Sequence, residues 1–133
     1  MLWFRKRNPH PATVKAAPET AAIPAPVACM LTDAGCRREL NEDCARIVHL
    51  HGDGPGDRGL LAIVADGMGG HRAGEVASRM AVETIAQEYA ATPGTPGDSL
   101  QNAFQKAHRE ILKLAKTSPD MEGMGTTCTA LAI

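Results

Sequence analysis

Rings are scarce in this chain: Trp3, Phe4, Tyr89 and Phe104 make up the 3% aromatic content of its 133 residues. That leaves almost no platform on which nucleic-acid bases could stack. Cationic excess is lacking too. The formal net charge is −1, and Arg5, Lys6, Arg7 and Lys15 sit among the first fifteen residues with no acid beside them, so the remainder is acidic. A nucleic-acid footprint over the domain is thereby excluded. No C-x-x-C pair occurs: Cys29, Cys36 and Cys44 are spaced seven and eight apart with no histidine cluster beside them, and Cys128 is remote, a pattern that argues against zinc. Long apolar runs are missing as well, so no transmembrane segment is expected. The opening MLWF is too short for a secretory core and precedes the charges instead of following them; a reducing cytoplasm is the expected setting.

What is present is aliphatic. With 44% hydrophobic residues and few rings, the core must be built from Ala, Val, Ile, Leu and Met, and the length supports one modest domain. Residues 1–27 hold five prolines and many alanines, a composition that reads as a disordered leader before a domain over 28–133. A Trp-Phe pair beside three cations is too weak an anchor to read as a membrane contact.

The segments ACMLTDAG and CARIVHL are short and β-prone, HGDGPGDRG is a loop, and LLAIVA is a continuous apolar run suited to a buried strand; three strands in succession are predicted. Val76, Ala77, Met80, Ala81, Ile85 and Tyr89 then recur at helical spacing over 71–90. After the breaker TPGTPGDS, Asp98 and Gln101 suggest a capping box, and Leu100, Ala103, Phe104, Ala107, Ile111 and Leu114 form the stripe of a second helix ending before Pro119. GMGTTCTALAI closes the sequence as another strand. Strands, two helices and a further strand make an α+β pattern without its second half.

The loop ADGMGGHRAGE has no Gly-Lys-Ser/Thr for a Walker phosphate loop, and Arg72 stands where a dinucleotide fingerprint needs its third glycine. An acid at the end of a buried strand followed by glycines suits a hard cation instead, through the Asp66 carboxylate and the Gly67 carbonyl. On this loop alone, Asp66 as a helix cap explains the pattern equally well. RRELNEDC tips the balance, since it places Asn41, Glu42 and Asp43 next to the start of a strand, following Arg37 and Arg38, although NED taken singly is more often a solvated turn. Two acidic loops and an arginine suit phosphoester chemistry, in which divalent cations neutralise phosphate oxygens and a guanidinium grips the phosphoryl group.

Three motifs, G-x-x-R-x-x-N-E-D over 35–43, A-D-G-M-G-G-H-x-A-G-E-x-A-S over 65–78 and G-M-G-T-T over 123–127, closely resemble the bacterial form of the metal-dependent serine/threonine phosphatases of type 2C. The resemblance implies the first part of a four-layer α-β-β-α sandwich with antiparallel sheets, incomplete at the C-terminus. It implies hydrolysis of phosphoserine and phosphothreonine on proteins, the products of a Ser/Thr kinase, with two Mn²⁺ or Mg²⁺ ions. Carried over by residue, Arg38 binds phosphate, Glu42 and Asp43 serve one metal directly or through water, Asp66 bridges both ions and Gly67 gives its carbonyl. Met68 stands where eukaryotic relatives carry a histidine proposed as general acid, and His71 is the nearest substitute. Gly69, Gly70 and Gly74 read as backbone and packing glycines, Thr126 and Thr127 as structural. Further metal-binding aspartates of the family fall on later strands that are absent from this sequence, so the rival expectation is a non-catalytic module that binds metal or phosphoprotein through the same half-site.

Overall fold

The computed structural model describes residues 26–36, 40–50, 58–69 and 72–133; the proposed leader falls almost wholly outside them. Its elements are β1 (Asp43–Leu50), β2 (Gly59–Met68), α1 (Arg72–Ala91), α2 (Pro96–Thr117), a single 3₁₀ turn (Pro119–Met121) and β3 (Gly125–Ala132). The three strands form one antiparallel sheet in the order β1-β2-β3. The architecture is therefore α+β, as the pattern of periods predicts.

One expected strand is absent. Residues 26–34 carry no strand. Instead Cys29, Met30, Leu31, Thr32 and Asp33 line a cleft against Asp43, Ala45, Val64 and Asp66. They pair with no strand of the sheet, and a ladder needs a parallel or antiparallel neighbour. Their β-prone side chains were the misleading signal, since strand propensity without a hydrogen-bonding partner makes no strand.

LLAIVA lies inside β2, the central strand, and its alternation sorts the two faces of the sheet. Leu61, Ile63 and Ala65 are buried under the helices, whereas Val64 and Asp66 are exposed. Across the ladder Cys44 and Cys128 flank Ala65, and Ile63 pairs with Ala130; Cys44, Cys128 and Ala130 join the helix-covered core with Val82, Ile85, Ala86, Tyr89, Ala103 and Ala107. A second cluster of Ala73, Ala77, Ala81, Ile111 and Met124 lies along the N-terminal half of α1. Small residues on α1 let it sit close to both α2 and the sheet.

The cap of α2 falls three residues earlier than its sequence suggests. Thr95 is the N-cap and Pro96 opens the helix; Thr95 Oγ1 accepts from the Asp98 amide at 3.2 Å and donates to the Asp98 carboxylate at 2.7 Å. The Thr95/Asp98 pair thus forms the box, and a proline at the first helical position, which forgoes no needed donor, displaces the Asp98/Gln101 alternative. At the far end of the sheet, Arg58 closes α1. It donates to the carbonyls of Tyr89 at 2.6 Å, Thr92 at 2.6 Å and Gly94 at 3.2 Å, with its guanidinium 5.0 Å from the Tyr89 ring centre. A cation on the last carbonyls of a helix satisfies groups that have no partner within it. No helix among the described residues is long and apolar enough to cross a membrane.

Candidate metal centre

The site lies at the end of the sheet where β1 begins and β2 ends. Asp43 is the first residue of β1 and stands directly opposite Asp66 in the ladder, with Thr127 of β3 on the other side of Asp66. Because side chains alternate along each strand, both carboxylates project from the face that the helices leave open. Both are exposed, and both line a cleft of about 500 Å³ together with Asp33. Asp66 is not a helix cap: it lies within β2, six residues ahead of Arg72.

Neighbouring backbone is fixed at several points. Asn41 Oδ1 accepts from the Asp43 amide at 3.0 Å, and its Nδ2 donates to Thr32 Oγ1 at 2.7 Å, so one side chain sets both the start of β1 and the wall of the cleft. The Thr126 hydroxyl shares its proton between the Asp66 carbonyl at 2.9 Å and the Thr127 carbonyl at 2.7 Å, with the Thr127 hydroxyl at 3.5 Å from the Asp66 oxygen. The Gly67 amide donates to the Glu42 carbonyl at 3.1 Å. Gly69 then turns the chain from β2 toward α1 at φ 138°, a conformation that L side chains rarely adopt.

Glu42 differs from the two aspartates. Its Oε1 is shielded from solvent and lies against the first turn of α1, where a Cβ on Gly74 would come within 2.6 Å of it. An anion at the N-terminal turn of a helix is electrostatically favoured. The structure thus pairs Asp43 with Asp66 and joins Gly67 to Glu42 through the backbone, with the Glu42 carboxylate turned toward α1; Arg38 and His71 lie outside the described residues. Sequence reasoning missed Asp33 as a wall of the cleft, although it stands in the quoted TDAG segment. It also gave Thr126 no specific partner. An acceptor sixty residues away leaves no local signal.

Residues 39–133 match the family described as Protein phosphatase 2C. The chain belongs to that family. Among curated type 2C relatives, the serine/threonine phosphatase stp of Listeria innocua is 39% identical over 102 residues, which cover 69% of this chain and 40% of that protein. The crystal structure of the Mycobacterium tuberculosis serine/threonine phosphatase PstP/Ppp matches with a TM-score of 0.60 at 37% identity, over 76% of this chain and 39% of that one. A structure of the catalytic domain of PstP in complex with two manganese ions matches with the same score and identity, over 76% and 40%. This type 2C chain therefore spans about 40% of the length of the Listeria relative it matches.

Hard oxygen donors are what a Mn²⁺ or Mg²⁺ centre requires. Among the described residues no three His, Cys, Asp or Glu side chains gather as a cation site, but the paired carboxylates of Asp43 and Asp66, exposed on one sheet surface, are of the right chemistry for part of such a donor set.

Proposed function

We propose that this chain carries the first part of a metal-dependent phosphatase domain that hydrolyses phosphoserine and phosphothreonine on proteins. The observation that carries this reading is the direct pairing of Asp43 with Asp66. Like charges opposite each other in a ladder oppose folding, and a divalent cation held by these carboxylates would offset that repulsion. Asp66 and the Gly67 carbonyl would hold the ions, with Asp43 and Glu42 serving directly or through water. Bound there, the ions supply neutralisation of phosphate oxygens and a lowered pKa for coordinated water.

The remaining roles belong to protein side chains. Arg38 would hold the phosphoryl oxygens in a bidentate fork, and His71 would give a proton to the departing serine or threonine oxygen. Substrates would be proteins phosphorylated by a Ser/Thr kinase, met in the cytoplasm. The domain would run from residue 28 behind a leader over 1–27. In the four-layer sandwich a second antiparallel sheet would cover the open face, where Val64 and Leu131 now stand 59% and 57% exposed.

Calorimetric titration with Mn²⁺ tests the centre. Wild type is expected to bind and Asp66→Asn to bind far more weakly; equal affinities would overturn the assignment. Turnover of a phosphopeptide with Mn²⁺ separates the enzyme from a binding module, with poor turnover expected of the 133-residue chain and full turnover of a chain extended to the length of its relatives.

A further inference from the structure

Two glycines and one acid interlock beneath the site. A Cβ placed on Gly74 would meet Glu42 Oε1 at 2.6 Å, Glu42 Cδ at 3.0 Å and the Gly67 carbonyl carbon at 3.1 Å. A Cβ placed on Gly67 would collide with the Gly74 carbonyl oxygen and stand 2.7 Å from the Glu42 carbonyl oxygen. Neither glycine is held there by an unusual φ, since the residues of positive φ are elsewhere in the chain. Their small size is required by what lies against them.

The neighbours differ in kind. Around Gly67 they are backbone, fixed by the ladder and by the Gly67 to Glu42 hydrogen bond. Around Gly74 the two nearest atoms belong to the tip of a side chain with several rotatable bonds, which can change rotamer, while the Gly67 carbonyl carbon at 3.1 Å is backbone and has to give only slightly. A methyl group at residue 74 therefore presses first and hardest on the Glu42 carboxylate, and sites of this kind tolerate a displacement of only about half an ångström.

We propose that Gly74 is a positioning residue for Glu42: the space left by its absent side chain is the seat of that carboxylate, and this seat sets where Glu42 meets the metal centre. The inference rests on the metal reading above and assigns a task to a residue of α1 that touches no ion.

The experiment uses the 133-residue chain as wild type, Gly74→Ala, Glu42→Asp and Gly74→Ala/Glu42→Asp. Each is melted chemically without metal and titrated with Mn²⁺. Gly74→Ala is expected to fold and to bind Mn²⁺ about tenfold or more weakly, the range typical of losing a group that orients a ligand. Shortening the acid by one methylene makes room for the methyl group, so the double variant is expected to be more stable than the two single losses predict and to bind Mn²⁺ more tightly than Gly74→Ala. Wild-type affinity in Gly74→Ala, or strict additivity of the two changes in the metal-free melts, would overturn the proposal. Should Gly74→Ala unfold, recovery of the fold by Glu42→Asp supports it and persistent unfolding overturns it. Absence of Mn²⁺ binding by wild type would instead sink the metal reading, and the metal-free additivity would still judge the seat. Gly67→Ala serves as contrast, with loss of folding expected because its obstacles are backbone.

Discussion

Ile63 and Val64 are consecutive residues of β2, yet one is 1% exposed and the other 59%. They stand on opposite faces of one sheet. The covered face is continuous with α1 and α2 through Leu61, Ile63, Ala65, Val82, Ile85 and Tyr89. The open face carries Asp43, Ala45, Val64, Asp66 and the segment 29–33 that walls its cleft. Apolar burial secures the first, while the second places carboxylates where solvent and ions reach them. From Leu61 to Asp66 the sheet separates stability from chemistry by residue parity, and a one-residue slip of β2 would exchange them there.

Truncation on the covered face should cost the most stability. Ile63→Ala should cost about 2–5 kcal/mol, the range for emptying a filled core position, while Val64→Ser on the open face stays within about 0.5 kcal/mol. Urea melts of the two variants check this, and comparable losses would show that the open face is covered in solution.

Cysteine chemistry sharpens the contrast next. Burial, reinforced by Cys44 nearby, pushes the Cys128 thiol up to about 11 from an ordinary 9.0, and burial also raises Cys44, with Glu83 adding to the rise. Thiolate is the reactive form, so at pH 8 Cys128 should be alkylated roughly a hundredfold more slowly in the folded chain than in urea, as mass mapping of iodoacetamide-treated protein would report. The sign for stability follows. The folded state holds this proton more tightly, so the contribution is fully present below pH 9 and is lost as pH rises from 9 toward 11.

The smallest effect lies on the open face. In metal-free protein, Asp66→Asn should raise stability by roughly 0.2–1 kcal/mol by removing a like-charge cross-strand pair, although the same change should abolish tight Mn²⁺ binding. Melting in chelator reads the first effect; a lower midpoint for the variant would mean that Asp66 has a structural partner worth more than the repulsion.

Much of this was legible in the sequence. LLAIVA announced β2 through an unbroken apolar run, and the stripe from Leu100 to Leu114 announced α2, with Ala103, Ala107 and Ile111 buried as its spacing requires. At the end of the sheet where the acidic motifs lie, Asp43 stands opposite Asp66 and the Gly67 amide donates to the Glu42 carbonyl. Failures came where local preference met a tertiary condition. ACMLTDAG has strand-forming side chains but no ladder partner, and Thr95 prevailed over Asp98 as cap because Pro96 fixes where the helix starts. The seat of Glu42 on Gly74 joins residues thirty-two positions apart, and no window of sequence contains both.

The hydrogen bond from Thr126 to the Asp66 carbonyl spans sixty residues, and both helices lie between its ends. Closing a loop of that length costs more conformational entropy than closing the shorter connection between β1 and β2. The aspartate pair is set by two strands that are neighbours in the sequence, whereas the hydroxyl that steadies its backbone comes from β3, beyond both helices.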